Sequence, residues 1–160
     1  MLASGRRSNV YVDARTTTLR AEAMPLIGRL FLQKMDQRGW KPSAAGGLTM
    51  GADPIAAAVA RESLETGRPV NAFIVRKETK KHGLQKRIEG LTESGPLDVV
   101  ILEDVATTGG SAAQAIEACR DAGFNILGVI ALVDREEGAG EAIEQQFQCP
   151  FDRIFRLSEL

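Results

Sequence analysis

The residues with the clearest chemical potential are two adjacent carboxylates, Glu103 and Asp104, followed by the hydroxyl side chains of Thr107, Thr108 and Ser111 around a glycine pair. Carboxylates accept hydrogen bonds from sugar hydroxyls and ligate metals. Hydroxyls and glycines at the start of a helix suit phosphate, because the first backbone N–H groups of a helix are free. An acidic pair at the end of a buried strand is costly without partners. The segment therefore predicts a site for a phosphorylated sugar, in preference to a plain turn.

The elements around this segment are predicted to be a strand and a helix. Residues 99–102 form an apolar, mostly β-branched run, which is typical of a strand inside a parallel sheet. Apolar residues recur at helical spacing from Ser111 onward. We expect Ser111 to be the N-cap of this helix and Gly123 to end it.

Residues 100–111 read Val-Ile-Leu-Glu-Asp-Val-Ala-Thr-Thr-Gly-Gly-Ser. This string resembles the phosphoribosyl-pyrophosphate (PRPP) signature of the type I phosphoribosyltransferases. It is neither a Walker loop nor a dinucleotide fingerprint, since the lysine of the first and the glycine spacing of the second are missing. The resemblance implies that Glu103 and Asp104 hold the ribose hydroxyls of PRPP. The residues implied to wrap its 5′-phosphate are Thr107, Thr108, Gly109, Gly110 and Ser111.

Composition limits the class of protein. The 160 residues fit one domain, and a net charge of −1 gives no global field for nucleic acid or an anionic membrane. No apolar run reaches the ~18–20 residues of a membrane span, and the N-terminus does not resemble a signal peptide. We therefore expect a cytoplasmic protein with no nucleic-acid or membrane partner. Cys119 and Cys149 lack metal-ligand spacing and are expected to be buried, inert thiols.

Strand and helix patterns alternate along the chain, which predicts an α/β fold with a mostly parallel, twisted sheet and helices on both faces. Strands are predicted at residues 10–13, 70–75, 99–102, 126–133 and 152–157. Helices are predicted at residues 19–38, from 53 to about 66, from 111, and at 140–147.

A second glycine-rich segment, residues 46–51, reads Gly-Gly-Leu-Thr-Met-Gly and is predicted to be a loop. Asp53-Pro54 follows as an expected helix cap with proline in the first turn, so a second anion site is the functional interpretation. The segment resembles the pyrophosphate-side loop of many orotate phosphoribosyltransferases, some of which have lysine where Met50 stands. The resemblance implies that Thr49, Met50 and Gly51 bind PRPP.

Residues 76–87 hold seven basic side chains, counting the only histidine, and one acidic residue. A solvated surface loop is one interpretation. The position between two core strands of a nearly neutral protein instead favours a mobile flap that supplies positive charge to a pyrophosphate leaving group. A single histidine excludes a multi-histidine metal site.

The flap also resembles a known loop. Residues 76–83 match in register the pattern Arg-Lys-Glu-x-Lys-x-His-Gly of the orotate phosphoribosyltransferase catalytic loop. The resemblance implies that Arg76, Lys77, Lys80 and His82 are catalytic residues that contact pyrophosphate. In that family the loop closes over the neighbouring subunit, which implies a homodimer. Arg76, Lys80 and His82 then act in the partner's site, while Lys77 serves its own chain.

Arg135 follows the predicted strand 126–133 within Asp-Arg-Glu-Glu-Gly. Its guanidinium either pairs with Glu136 or Glu137 at the surface or binds a planar carboxylate through two hydrogen bonds. The segment resembles the family's orotate-binding arginine. The resemblance implies that Arg135, Thr107 and Tyr11 bind orotate.

The resemblance covers almost the whole chain and implies one phosphoribosyltransferase domain over residues 1–160. Residues 1–18 are expected to be the remnant of a hood segment and residues 76–90 a mobile catalytic loop. The implied reaction converts orotate and PRPP to orotidine 5′-monophosphate and pyrophosphate in pyrimidine synthesis, with Mg²⁺ held mainly by PRPP and no protein metal site. The alternatives are a phosphoribosyltransferase for another base and a regulatory protein that binds PRPP without turnover.

Overall fold

The computed structural model describes residues 12–77, 87–92 and 95–160. The strands are β1 Ala44–Leu48, β2 Asn71–Val75, β3 Ile88–Glu89, β4 Asp98–Ala106, β5 Asn125–Asp134 and β6 Phe151–Arg156. The helices are α1 Arg15–Thr18, α2 Met24–Gln37, α3 Asp53–Ser63, α4 Gly110–Asp121 and α5 Ala139–Phe147. Short 3-10 turns, Leu64–Thr66 and Leu157–Glu159, follow α3 and β6.

The six strands form one sheet in the order β3-β2-β1-β4-β5-β6. All neighbours are parallel except β3, which runs antiparallel to β2. The carboxyl ends of β1, β2, β4, β5 and β6 therefore meet at one edge. This architecture confirms the predicted α/β fold with a mostly parallel sheet, although β1 and the two-residue β3 were not predicted.

Helices cover both faces of the sheet, as the sequence predicted. Helices α2 and α3 bury residues such as Phe31 and Ile55 against one face. Helices α4 and α5 bury Ile116 and Ile143 against the other. Burying strands on both faces explains why β4 and β5 read as continuous apolar runs.

Strand β1 corrects the prediction that residues 46–51 form a loop. Gly46 and Gly47 lie inside this fully buried central strand, paired with β2 and β4. A Cβ at Gly46 would lie 1.9 Å from the carbonyl oxygen of Phe73, and one at Gly47 would lie 2.1 Å from that of Leu102. Glycine is unfavourable in most strands, but here it permits a close backbone approach.

Two helix starts also differ from the prediction. Helix α3 has Ala52 as its N-cap, so Asp53 lies inside its first turn. Helix α4 begins at Gly110 with Gly109 as N-cap at φ 85°, so Ser111 is a helical residue and not the cap. Glycine takes this left-handed conformation without a steric penalty, unlike serine. The predicted stop at Gly123 is confirmed by its φ of 77° directly after α4.

The N-terminal part differs as well. Residues 12 and 13 are not in a strand, and the one-turn helix α1 follows them. Helix α2 begins at Met24, later than predicted, and has Pro25 in its first turn. None of the helices within the described ranges has the length and apolar character needed to cross a membrane.

Both cysteines are buried, as predicted. Burial raises the pKa of the Cys119 thiol to about 12 and that of the Cys149 thiol to about 11. Thiols with raised pKa values hold little thiolate, so both are poor nucleophiles.

Gly47→Ala tests the close packing of β1. The added methyl group meets the backbone of Leu102, so we expect the free energy of unfolding to fall by about 3 kcal/mol. Urea unfolding measures it. Gly110→Ala is the matched control, because a Cβ there meets no atom within 4 Å, and its unfolding free energy should not fall. Equal stability of Gly47→Ala and the unaltered protein would contradict the packing argument.

Candidate functional site

An open cleft of about 240 Å³ lies where β1 and β4 end. Open α/β sheets bind ligands at this edge, outside the carboxyl ends of their strands. The lining residues are Val12, Asp13, Arg15, Leu48, Thr49, Met50, Gly51, Lys77, Glu103, Asp104, Val105 and Ser111. Three segments that the sequence analysis singled out separately therefore share one cleft.

The acidic pair lies within β4, close to its end. Glu103 is 8% exposed, and Asp104 is more accessible and accepts a 2.9 Å hydrogen bond from the N–H of Val105. Burial raises the pKa of Glu103 to about 8, and the charge of Asp104 and a hydrogen bond with it add to this rise. Glu103 therefore keeps a proton at neutral pH, and the pair does not carry its full negative charge.

The loop after β1 lies directly against the acidic pair. A Cβ at Gly51 would lie 2.4 Å from Oδ1 of Asp104, so a larger residue there would have to displace this carboxylate. Thr49 donates its hydroxyl to Asp53 at 2.7 Å and its N–H to a β2 carbonyl, and the Thr49–Met50 peptide bond is cis. The N–H groups of Met50 and Gly51 make no hydrogen bond to any described residue. These two groups are the donors that the loop retains for an anion.

The start of α4 contributes to the cleft through Ser111. Ser111 lines the cleft in the first helical turn, which contains no acidic residue. Gly109 turns the chain into the helix, with its Cβ position 3.3 Å from the carbonyl oxygen of Ala139. Thr107 is half-buried and Thr108 exposed in the connecting loop. A helix start with free N–H groups and nearby hydroxyls suits phosphate.

The basic segment after β2 is described only at its two ends. Lys77 lines the cleft. Arg76 instead pairs with Glu89 at 3.4 Å and is not a lining residue. Three predicted site residues lie outside the described part of the chain: Tyr11, Lys80 and His82.

Arg135 lies at the carboxyl end of β5, where its N–H donates to Ala106, the last residue of β4. Its side chain is 4% exposed and pairs with Glu137 at 3.0 Å. Glu136 accepts a hydrogen bond from Ser158 instead. The predicted alternative of an ion pair is therefore present, but its arginine is buried and its glutamate is only partly exposed, so the pair is not a solvent-exposed surface pair. Arg135 is near the cleft but does not line it.

Asp13 and Arg15 line the cleft, although the sequence analysis gave them no role. Nε and Nη2 of Arg15 donate to the two carboxylate oxygens of Asp13 at 2.9 and 3.1 Å. These hydrogen bonds hold the pKa of Asp13 below its usual value. The only sequence signal for this pair is an Asp-x-Arg spacing, which is also compatible with a strand.

Several known proteins with similar sequences and structures are orotate phosphoribosyltransferases. An orotate phosphoribosyltransferase from Aquifex aeolicus is 47% identical over 99% of this chain and 85% of the relative. One from Streptomyces avermitilis is 45% identical over 99% of this chain and 86% of the relative. The solved Mycobacterium tuberculosis orotate phosphoribosyltransferase in complex with PRPP has a TM-score of 0.82 and 41% identity, over 94% of this chain and 83% of that chain. No protein-family model matches the chain.

The raised pKa of Glu103 predicts a pH-dependent stability. Between its ordinary value of 4.5 and about 8, the folded protein holds a proton that the unfolded chain releases. The free energy of unfolding therefore falls as pH rises through this window, by at most about 1.4 kcal/mol per pH unit. Glu103→Gln removes this contribution, so its stability relative to the unaltered protein should increase from pH 5 to pH 8.

Urea unfolding at several pH values measures this effect. Glu65→Gln is the matched control, because Glu65 is an exposed glutamate outside the cleft. Its stability difference from the unaltered protein should not change with pH. Parallel pH profiles for Glu103→Gln and the unaltered protein would show that Glu103 ionises normally.

Proposed function

This chain belongs to the orotate phosphoribosyltransferase family, and we propose that it transfers the 5-phosphoribosyl group of PRPP to orotate. The products are orotidine 5′-monophosphate and pyrophosphate, a step of de novo pyrimidine synthesis. One observation carries the proposal: the acidic pair, the loop after β1 and the start of α4 surround a single cleft. These groups match a sugar that carries phosphate at both ends.

The reaction joins a ring nitrogen of orotate to the anomeric carbon of PRPP. As that bond forms, the bond from the anomeric carbon to pyrophosphate breaks, and its electron pair leaves on pyrophosphate. The ring nitrogen releases its proton, which passes to the departing pyrophosphate or to water. The substrate nitrogen is itself the nucleophile, so no protein nucleophile is needed. The work of the protein is to align the two substrates and to stabilise the charge that develops on pyrophosphate.

The acidic pair receives the ribose ring. Asp104 accepts hydrogen bonds from ribose hydroxyls, and the more deeply buried Glu103 supports it. Because burial holds the pKa of Glu103 near 8, the pair presents less negative charge to the polyanionic substrate than two ionised carboxylates would. The sugar is thereby bound with a smaller electrostatic penalty.

The two phosphate groups lie at opposite sides of this ring. The 5′-phosphate accepts hydrogen bonds from the first turn of α4 and from the hydroxyls of Thr107, Thr108 and Ser111. Pyrophosphate contacts Lys77 and the N–H groups after β1. Arg76, Lys80 and His82 are proposed to add positive charge there from the partner subunit, on the basis of the loop pattern in the sequence.

Orotate is proposed to bind beside Arg135, with Thr107 and Tyr11 as further contacts. A guanidinium recognises a planar carboxylate through two parallel hydrogen bonds. Glu137 already pairs with Arg135, so the orotate carboxylate shares this guanidinium with Glu137. The contact therefore depends on the orientation that Glu137 gives to Arg135.

Mg²⁺ is proposed as the cofactor. No group of three or more Asp, Glu, His or Cys side chains in the described residues is placed to hold a metal ion. Mg²⁺ commonly binds through one or two carboxylates together with substrate phosphates, and the pair at the end of β4 fits this pattern. The ion would be held mainly by PRPP, with Asp104 as the more accessible carboxylate beside it, and its role would be to neutralise charge on pyrophosphate.

The active form is proposed to be a homodimer, because the basic loop in this family reaches the neighbouring subunit. The cytoplasmic location expected from the sequence stays a prediction.

Orotate consumption, followed by its ultraviolet absorbance, tests the reaction directly. We expect loss of absorbance that requires the protein, PRPP and Mg²⁺, with one pyrophosphate released per orotate. Asp104→Asn should lower kcat/KM by about 100-fold or more, because the ribose hydroxyls lose their charged acceptor and meet an NH2 donor in place of one carboxylate oxygen. Asp121→Asn, an exposed aspartate at the end of α4, should retain full activity. PRPP binding without orotate consumption would indicate a regulatory protein instead.

Mixed dimers test the shared sites. Lys80→Ala and Asp104→Ala should each be inactive alone, but co-expression should restore about a quarter of the activity, because half of the dimers then contain one intact site. Lys77→Ala with Asp104→Ala is the matched control and should restore nothing, since both residues serve their own chain. Equal results from the two mixtures would contradict the proposed division between subunits.

A further inference from the structure

Arg15 is held in a fixed orientation at the cleft. Its guanidinium donates to both carboxylate oxygens of Asp13, and its own backbone N–H donates to the same carboxylate at 3.1 Å. The hydroxyl of Thr16 donates to the backbone carbonyl of Asp13 at 2.8 Å, which ties the backbone of Asp13 to the start of α1. An arginine that is already oriented loses little rotamer freedom when it binds an anion.

The distribution of positive and negative side chains in the cleft indicates that Arg15 binds an anion. Among the described residues that line the cleft, the acids are Asp13, Glu103 and Asp104, and the cations are Arg15 and Lys77. Met50 is 65% exposed at the same cleft and contributes no charge. A polyanionic ligand therefore meets few cations on these segments, and Arg15 is one of them.

The two substrates carry three anionic groups, the 5′-phosphate, the pyrophosphate and the orotate carboxylate, and each meets different donors in the protein. The start of α4 provides for the 5′-phosphate. Arg135 is the proposed partner of the orotate carboxylate, although it is near the cleft and does not line it. Pyrophosphate carries the most charge. Besides the backbone N–H groups after β1 and the residues proposed from the partner's loop, Lys77 is the one cation of its own chain assigned to it so far among the described lining residues. We propose that Arg15 is a further substrate-binding residue that contacts the pyrophosphate group of PRPP, with Asp13 as its positioning residue.

This inference rests on the proposed function, since it requires PRPP in the cleft, but its test does not need turnover. Titration calorimetry with inorganic pyrophosphate and with PRPP, each with Mg²⁺, measures binding to the full chain. Arg15→Ala should raise both Kd values about tenfold or more, the usual effect of losing a hydrogen bond between charged groups. The Kd values of Arg15→Lys should lie between those of the unaltered protein and Arg15→Ala, because lysine keeps the positive charge but lacks the planar guanidinium group. Where turnover is measurable, the KM for orotate should change less than about twofold.

Arg20→Ala is the matched control. Arg20 also pairs with an acid two positions away, Glu22 at 2.8 Å, but it does not line the cleft. Its Kd values should equal those of the unaltered protein. Asp13→Asn should raise the Kd for pyrophosphate, but by less than Arg15→Ala does, and it should leave the KM for orotate unchanged. A general loss of structure would raise the KM for orotate as well. Thermal unfolding checks each variant, and Arg15→Gln replaces Arg15→Ala if the latter does not fold.

An unchanged pyrophosphate Kd in the folded Arg15 variants would overturn the inference. A raised KM for orotate with unchanged pyrophosphate binding would also overturn it, because Arg15 would then contact the base. Failure of the unaltered protein to bind either pyrophosphate or PRPP would overturn it as well. If the unaltered protein consumes no orotate but loses pyrophosphate binding on Arg15→Ala, the proposed function fails and this inference stands.

Discussion

Gly46 and Gly47 lie at the centre of the sheet, where the carbonyl groups of Phe73 and Leu102 leave no room for a side chain on β1. The same restriction recurs just beyond the strand, where Gly51 contacts the carboxylate of Asp104. Because these glycines remove the side chains, β1 brings its loop directly against the acidic end of β4. The width of the cleft is therefore set by close backbone approach, and bulkier residues at these positions would push the phosphate donors away from the acids.

The sheet and the surrounding loops contribute charges of opposite sign. The acids proposed to bind ribose are built into β4, where burial and mutual repulsion raise the pKa of Glu103. The described cations that line the cleft, Arg15 and Lys77, come instead from α1 and from the loop after β2. Under the proposed function, the sheet therefore positions the sugar, whereas the charge for a departing pyrophosphate lies on peripheral segments. This separation would let the leaving-group contacts change during the reaction while the ribose stays in place.

The parts that were predictable from the sequence have strong local signals. The apolar runs of β4 and β5 and the helical spacing of α4 follow from burial, and the acidic pair with its hydroxyl-rich loop identified the cleft. Strand β1 was missed because Ala-Ala-Gly-Gly-Leu has no β-branched residue and its stability comes from neighbouring strands. The Asp13–Arg15 pair was missed for a related reason, since its role depends on its location at the cleft and not on a local pattern.

Pairing with Glu137 lowers the free-energy cost of burying the guanidinium of Arg135, the residue proposed to bind orotate. A lone buried guanidinium would be destabilising, and removing one partner of such a pair usually costs several kcal/mol. Under the proposed function, displacement of Glu137 by orotate would leave this partly buried carboxylate without its cation, so sharing the guanidinium is favoured over exchange. Glu137 then keeps Arg135 oriented in the absence of substrate. A base without a carboxylate would gain nothing from this arrangement, so the proposed selectivity for orotate rests on the geometry of the pair and not on the net charge of the cleft.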